Sequence, residues 1–158
     1  MKFQGIRAII TGGVSGLGFG VAEHFVTHGA KVALFDVNED AAEAALEALG
    51  RDNARFAKVD VTDEQAVAAA VAEAADAMGG LEVGINCAGI LGAGRVLGRE
   101  APMPLGRFRS TVMVNLVGSF NVAKAVADRM QLNEPNDDGE RGVIINTASV
   151  AAWEGQIG

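Results

Sequence analysis

Short runs of apolar and β-branched residues alternate along the chain with longer stretches of helical period. Leu17, Val21 and Phe25 recur every four residues, which places them on one face of a helix. Residues 39–49 are rich in alanine, glutamate and leucine, which favour helices. The strands that the apolar runs predict are Ile6–Ile10, Lys31–Asp36, Ala54–Val59, Leu81–Asn86 and Val143–Asn146.

Other residues mark where helices begin and end. Thr62 is followed three residues later by Gln65, which is the spacing of a capping box at a helix N-terminus. The helix that begins there is expected to end near Gly79, and a further helix is predicted over Asn115–Met130. Polar and turn-forming residues predict long loops over 91–106 and 133–142.

The alternation of strands and helices predicts the fold class. Strands that are apolar throughout are typical of a parallel sheet covered by helices on both faces. Because βαβ crossovers are right-handed, the pattern predicts a doubly wound parallel sheet in three α/β/α layers. The chain shows no internal repeat and no linker, so we expect residues 1–158 to form a single domain.

Composition narrows the classes of function. The 158 residues are 49% hydrophobic and 21% charged, which is a globular balance. The net charge of −7 disfavours binding to nucleic acid or to anionic membranes, and no apolar run is long enough to span a bilayer. The first residues contain no signal-like apolar stretch, so we expect a cytoplasmic location. The single cysteine excludes a disulfide framework within these residues, and His24 and His28 are interpreted as a solvated helix edge, so no metal site is expected.

A glycine-rich segment, TGGVSGLG at residues 11–18, follows the first predicted strand and begins the first helix. Glycine allows a sharp turn and a close approach to a ligand, and the helix N-terminus favours a pyrophosphate. Asp36 ends the second strand about 20 residues later, where an acid can accept a hydrogen bond from a ribose 2′-hydroxyl. The alternatives are an ordinary βα turn for the glycines and a helix cap or solvated turn residue for Asp36. Together, however, the two features predict a dinucleotide site.

Four segments carry a family resemblance. Residues 11–18, the sequence NCAG at 86–89, Asn115, and the sequence IINTAS at 144–149 resemble the short-chain dehydrogenase/reductase family in their order and spacing. The segments 133–135, 141–152 and 154–156 resemble its 3-hydroxyacyl-CoA dehydrogenase type 2 branch, which oxidises 3-hydroxyacyl-CoA thioesters and some hydroxysteroids with NAD. The resemblance implies a Rossmann-like fold, an NAD-dependent oxidoreductase of small-molecule substrates, and a homotetramer.

The resemblance also implies site residues. Those expected to contact the cofactor are Gly12, Ser15, Gly16, Leu17 and Gly18 at the pyrophosphate, Asp36 at the adenosine ribose, Asp60 and Val61 at the adenine, and Cys87, Ala88 and Gly89 beside the cofactor. Asn115 is expected to kink its helix and support a proton-relay water, and Ser149 to hydrogen-bond the substrate oxygen.

Some of these residues have simpler interpretations. Asp60 can merely start the helix cap at Thr62, and Asn86 can serve only to hold the sheet together. Cys87 is interpreted as a small buried apolar side chain rather than a reactive thiol, and Ser149 taken alone is an ordinary loop serine.

The family's proton acceptor is a tyrosine in a Tyr-x-x-x-Lys motif, where a nearby lysine favours the ionised tyrosine. The family spacing places this tyrosine at position 162, and the 158 residues contain no tyrosine. We therefore expect these residues to be the N-terminal part of a longer dehydrogenase, holding the cofactor half and Ser149 but neither the base nor the C-terminal strands.

Two further expectations concern the ligands. Asp36 would repel the 2′-phosphate of NADP, and neither Val14 nor Ser15 is basic, so NAD is the expected cofactor. Four arginines lie in or beside the loop after Gly89, and they either meet the phosphates of an acyl-CoA substrate or form a merely solvated loop: Arg95, Arg99, Arg107 and Arg109. The alternatives are a catalytically inactive nucleotide-binding module, or a dehydrogenase for a 3-oxoacyl carrier protein, a steroid or a sugar.

Overall fold

The computed structural model describes residues 3–155, so Gln156, which contributes to the branch resemblance, lies outside the described residues. The strands are β1 Arg7–Thr11, β2 Lys31–Asp36, β3 Ala54–Lys58, β4 Val83–Asn86 and β5 Val143–Asn146. The helices are α1 Gly16–Thr27, α2 Ala42–Leu49, α3 Glu64–Met78, α4 Leu105–Val112, α5 Ser119–Met130 and α6 Ala151–Glu154, and a π-helical segment, Met113–Gly118, joins α4 to α5.

The five strands form one parallel sheet in the order β3-β2-β1-β4-β5. The chain builds outward from β1 to β3 and then returns to the other side of β1 with β4. This reversal confirms the doubly wound sheet, and it opens a crevice between the carboxyl ends of β1 and β4. Thr11 is in register with Asn86, and Asn86 with Asn146, so these strand ends share one edge.

Two apolar layers cover the sheet, because successive side chains of a strand point to opposite faces. Ile9 of β1 packs in the layer that α3 and α5 cover, with Phe35, Val67 and Val126. Ala8 and Ile10 pack in the opposite layer. The three-layer prediction is therefore confirmed.

The N-terminus of α3 differs from the predicted capping box. Its N-cap is Asp63, whose Oδ1 accepts hydrogen bonds from the backbone N–H groups of Gln65 and Ala66, both at 3.0 Å. Thr62 instead donates its hydroxyl to Asp60 Oδ1 at 2.8 Å. The prediction of Thr62 as the cap was therefore wrong by one residue, because a carboxylate at the next position satisfies two of the helix's free N–H groups at once.

We expect Asp63→Ala to lower the free energy of unfolding by about 1 kcal/mol, because two N–H groups of α3 lose their acceptor. Thr62→Ala is the matched control and should cost less, since Thr62 caps no helix. Urea denaturation of both variants measures the difference. An equal or larger loss for Thr62→Ala would contradict the assignment of the cap.

Helix α4 and the start of the helical stretch were missed. The prediction placed a loop over 91–106 and a helix from Asn115, whereas helix begins at Leu105. No residue of α4 is buried, and Leu105 and Phe108 are exposed, so α4 has no buried stripe to set a helical period. Its Gly106, Ser110 and Thr111 also have low helix propensity.

Two regions of the molecule carry exposed apolar side chains. They lie on the edge strand β5, at Val143 and Ile145, and along α4 to α5, at Leu105, Phe108, Leu116 and Phe120. The expected tetramer remains a prediction.

None of the helices between residues 3 and 155 combines the length and the apolar character needed to cross a membrane.

Candidate cofactor-binding site

The turn after β1 lies against the turn after β4 because of Gly12. Gly12 has a φ of 62°, and a Cβ placed on it would lie 3.0 Å from the backbone atoms Ala88 Cα, Ala88 N and Cys87 C. A side chain at this position would push the two turns apart. Glycine is therefore required for both the backbone conformation and the contact.

The first turn of α1 also packs closely against the glycine turn after β1. A Cβ placed on Gly18 would lie 2.2 Å from the carbonyl oxygen of Gly12. Ser15, the N-cap of α1, makes no side-chain capping hydrogen bond. The helix therefore presents N–H groups of its first turn, together with the positive end of its dipole, at the crevice, which favours an anion.

Asp36 closes one side of the crevice at the end of β2. Its Oδ2 accepts a hydrogen bond from the backbone N–H of Val14 at 3.4 Å, and its Oδ1 accepts one from Asn38 N–H at 3.0 Å. The bond to Asn38 makes Asp36 a turn residue, which was one of the alternative interpretations. The bond to Val14 fixes the carboxylate against the glycine loop. A carboxylate oxygen has more than one acceptor position, so both contacts leave room for a ribose hydroxyl.

Thr11 is a site residue that the sequence analysis did not single out. Its buried Oγ1 accepts hydrogen bonds from the N–H groups of Cys87, at 3.1 Å, and Ala88, at 3.0 Å. The turn after β4 is thereby held in place beside the glycine loop. The available signal was a hydroxyl at the end of an otherwise apolar, buried strand.

The segment after β3 is held from two sides. Asp60 Oδ1 accepts hydrogen bonds from the Thr62 N–H and hydroxyl, so Asp60 forms a turn with Thr62 and does not start a Thr62 cap, because the N-cap is Asp63. Val61 is positioned by Asn121 of α5, which is buried and donates from Nδ2 to the Val61 carbonyl at 3.0 Å. Neither contact removes Asp60 or Val61 from the crevice.

One cleft of about 480 Å³ occupies the crevice. The structure brings all eleven of the predicted cofactor contacts to its walls: Gly12, Ser15, Gly16, Leu17, Gly18, Asp36, Asp60, Val61, Cys87, Ala88 and Gly89. Phe35, Val37, Val59, Ile90 and Val114 complete the lining and supply apolar surface. Residues at or just after the ends of β1, β2, β3 and β4 therefore line the same cleft.

Asn115 lies in the π-helical segment, so the helix departs from α geometry where the kink was expected. Asn115 Oδ1 accepts from the N–H of Ile90 at 2.9 Å, and Nδ2 donates to the Ile90 carbonyl at 3.0 Å. Both amide groups therefore anchor Ile90, a residue of the cleft wall. Single π-helical turns within helices occur frequently at functional sites.

Ser149 does not line the cleft. It lies three residues beyond β5, at the same sheet edge, and is exposed, with its Oγ accepting a hydrogen bond from Ala151 N–H at 3.2 Å. Its hydroxyl proton is left to donate elsewhere. The neighbouring Thr147 donates to Cys87 Sγ at 3.6 Å, which ties the segment after β5 to the cleft wall.

Asn86 holds the sheet together, as its simpler interpretation predicts. Its Nδ2 donates to the Ser119 carbonyl at 3.1 Å and to Asn146 Oδ1 at 2.8 Å, which links β4 to α5 and β5. Cys87 is half-buried rather than buried.

Comparison with known proteins decides the family. Residues 7–158 match the short chain dehydrogenase family. The chain belongs to this family. The resemblance that the glycine-rich segment, NCAG, Asn115 and IINTAS indicate is thereby confirmed.

The relatives also confirm the branch. This short chain dehydrogenase is 46% identical to the 3-hydroxyacyl-CoA dehydrogenase type-2 of Bos taurus and to that of Homo sapiens, each over 157 residues. The match covers 98% of this chain and 60% of each relative, so the chain spans about 60% of the length of these relatives.

Solved structures agree with the fold. The crystal structure of 3-hydroxyacyl-CoA dehydrogenase type-2 from Mycobacterium avium matches with a TM-score of 0.90 at 36% identity, covering 100% of this chain and 63% of that one. A 7α-hydroxysteroid dehydrogenase complexed with NADH and 7-oxo glycochenodeoxycholic acid matches with a TM-score of 0.85 at 30% identity, covering 99% and 58%.

Proposed function

We propose that this protein is an NAD-dependent dehydrogenase that transfers a hydride between the carbinol carbon of a 3-hydroxyacyl-CoA thioester and the nicotinamide. The observation that carries the proposal is the cleft, because residues from four separate strand ends meet there in the arrangement that a dinucleotide requires. The similarity to 3-hydroxyacyl-CoA dehydrogenases type-2 supports the substrate class. The similar steroid dehydrogenase complexed with NADH supports a nicotinamide cofactor.

Different residues along the cleft contact different parts of the cofactor. The N–H groups of the first turn of α1 bind the pyrophosphate, and Asp36 accepts hydrogen bonds from the adenosine ribose. Asp60 and Val61 flank the adenine, while Cys87, Ala88 and Gly89 pass beside the nicotinamide half. When bound, NAD supplies the hydride acceptor.

The catalytic residues act on the substrate oxygen and its proton. The Ser149 hydroxyl donates a hydrogen bond to that oxygen, and Asn115 keeps the cleft wall in place through Ile90 while supporting a proton-relay water. Serine is a poor base near neutral pH, so the proton acceptor is the tyrosine that the resemblance places at position 162. We expect residues 1–158 alone to lack turnover, because losing a general base costs about 10²- to 10⁴-fold.

The proposal is tested with the protein expressed from its complete gene. We expect NAD-dependent oxidation of 3-hydroxybutyryl-CoA, and we expect Ser149→Ala to lower kcat by on the order of 10²-fold, as when one donor to a reacting oxygen is removed. Ser110→Ala, an exposed serine of α4, is the matched control and should leave kcat unchanged.

Three outcomes separate the candidate functions. NADH binding without turnover of any alcohol would favour the inactive nucleotide-binding module. Turnover of a steroid, a sugar or a 3-hydroxyacyl carrier protein in preference to the CoA thioester would favour another substrate. An unchanged rate for Ser149→Ala would contradict the role of Ser149.

The loop after Gly89 offers two arginines to the CoA phosphates. Arg107 is engaged in holding this loop, since its Nη2 donates to the Ala93 carbonyl at 2.9 Å. Arg95 and Arg99 are exposed, and neither forms an ion pair within residues 3–155. We infer that these two side chains, which lie in the loop itself, pair with phosphate. Arg109 of α4 is likewise exposed and outside any ion pair within residues 3–155.

We expect the double charge reversal Arg95→Glu/Arg99→Glu to raise the KM for acetoacetyl-CoA roughly tenfold, since two exposed attractions become repulsions. The KM for an acetoacetyl-pantetheine thioester, which lacks the nucleotide phosphates, should stay unchanged. Arg51→Glu/Arg55→Glu, at the opposite edge of the sheet, makes the same change in net charge and is the control. An unchanged KM for the CoA substrate would leave the loop without this role.

A further inference from the structure

The chain's two histidines, His24 and His28, lie together at the C-terminal end of α1. Their ring centres are 4.3 Å apart, and Phe3 packs against both rings at 5.3 Å. Because α1 begins at the cofactor cleft and has 12 residues, its C-terminal end lies about three helical turns from the cleft. Both histidines are exposed, so they serve neither the core nor the proposed reaction.

A hydrogen bond fixes the proton on the ring of His28. Its Nδ1 lies 2.7 Å from the carbonyl oxygen of His24. A carbonyl oxygen only accepts hydrogen bonds, so Nδ1 carries the hydrogen and the Nε2 of the neutral ring keeps its lone pair. Histidines that bind metals characteristically donate their other ring N–H to a carbonyl or carboxylate in this way.

The spacing suits one ion shared by both rings. Two histidine nitrogens bound to the same ion at about 2.0–2.1 Å lie at most about 4.2 Å apart, and histidines four residues apart on one helix face achieve this. The ring centres are 4.3 Å apart, close to that limit, so we infer that rotation of the His24 side chain brings two nitrogens within it while the His28 ring keeps its hydrogen bond. The position at the helix C-terminus adds the negative end of the dipole, which favours a cation.

We propose that His24 and His28 form an exchangeable binding site for a divalent transition-metal ion. Imidazole ligands select copper, zinc and nickel over magnesium and calcium. Residues 3–155 contain no group of three or more histidine, cysteine and acidic side chains placed to hold a metal, so water completes the coordination. Spacing alone favours a solvated helix edge; the fixed Nδ1–H and the paired rings are the observations that argue for ligands.

Calorimetric titration with Cu²⁺, the divalent ion that such ligands bind most tightly, tests the proposal. We expect one ion per chain and a loss of affinity of at least about tenfold for His24→Ala and for His28→Ala, since losing even an outer-shell partner costs 10- to 100-fold. Thr27→Ala, on the same helix end, should bind like the unaltered protein. Electron paramagnetic resonance should show two nitrogen ligands, reduced to one in each histidine variant.

Two results would overturn the site. One is binding that survives the double variant His24→Ala/His28→Ala. The other is binding that disappears in Cys87→Ser, because that would assign the ion to the thiol at the cofactor cleft. Circular dichroism of each variant verifies that α1 stays folded, so a loss of binding is attributable to the imidazoles.

Discussion

Gly18→Ala is expected to weaken NADH binding by on the order of 10²-fold, the cost of a misplacement of about 1 Å in a preorganised site. The added Cβ would lie 2.2 Å from the Gly12 carbonyl oxygen, whereas even a close C–H···O contact keeps carbon and oxygen about 3.3–3.6 Å apart. The first turn of α1 must therefore move by about 1 Å relative to the glycine loop. That movement displaces the N–H groups proposed to bind the pyrophosphate.

Gly20→Ala is the matched control in the same helix. A Cβ at Gly20 meets no atom within 4 Å, and Gly20 does not line the cleft. We expect unchanged NADH affinity and a gain in stability of up to about 1 kcal/mol, since alanine is the better helix former. Fluorescence titration with NADH and thermal denaturation measure both effects. Equal NADH affinity in the two variants would remove the steric argument for Gly18.

Asp36→Ala is expected to abolish most of the preference for NAD over NADP. A 2′-phosphate charge about 4 Å from the Asp36 carboxylate costs on the order of 4 kcal/mol at an effective dielectric of about 20, before screening by salt. Because Asp36 lies half-exposed at the cleft wall, screening reduces this cost. We therefore expect the ratio of kcat/KM values for NAD and NADP to fall by about 10- to 100-fold.

Two further variants separate charge from hydrogen bonding. Asp36→Asn keeps an acceptor oxygen for Val14 N–H and for the ribose but loses the charge, so it should retain more NAD affinity than Asp36→Ala while accepting NADP equally well. Asp40→Ala, an exposed acid outside the cleft, should leave the ratio unchanged. A preference for NADP in the unaltered protein would contradict the cofactor proposal.

Lys58 allows a second test of the preference for NAD over NADP. It is in register with Asp36 on the neighbouring strand, and its hydrogen bond to Glu39 at 2.5 Å raises the pKa of the Lys58 ammonium. Lys58 is therefore a cation on the strand next to Asp36, paired with Glu39 and outside the cleft lining. Adding Glu39→Gln to Asp36→Asn should improve NADP binding further.

The cleft was predictable because its signals are local. Glycines between a strand and a helix, an acid at the end of the next strand, and residues 87–89 after β4 are each readable within a few residues. The parallel topology then requires these strand ends to meet at one edge. These local signals, together with the family resemblance that added Asp60, Val61 and the roles of residues 87–89, predicted the cleft wall.

The features that were missed depend on long-range contacts or on surface exposure. Thr11 acts on Cys87, 76 residues away, and nothing near Thr11 in sequence indicates that partner. Helix α4 has no buried residue, so its apolar positions form no core-facing stripe. At α3 the choice between Thr62 and Asp63 depended on which side chain reached two N–H groups, and the one-residue difference in position is not visible in the sequence pattern.

A crystal structure of the protein with NADH tests the central claim most directly. We predict the pyrophosphate against the first turn of α1 between Gly12 and Gly18, and the adenosine ribose hydroxyls within hydrogen-bond distance of Asp36. The nicotinamide should lie on the Cys87–Gly89 side of the cleft, facing Ser149. A cofactor bound elsewhere, or in this cleft with its adenosine away from Asp36, would contradict the account.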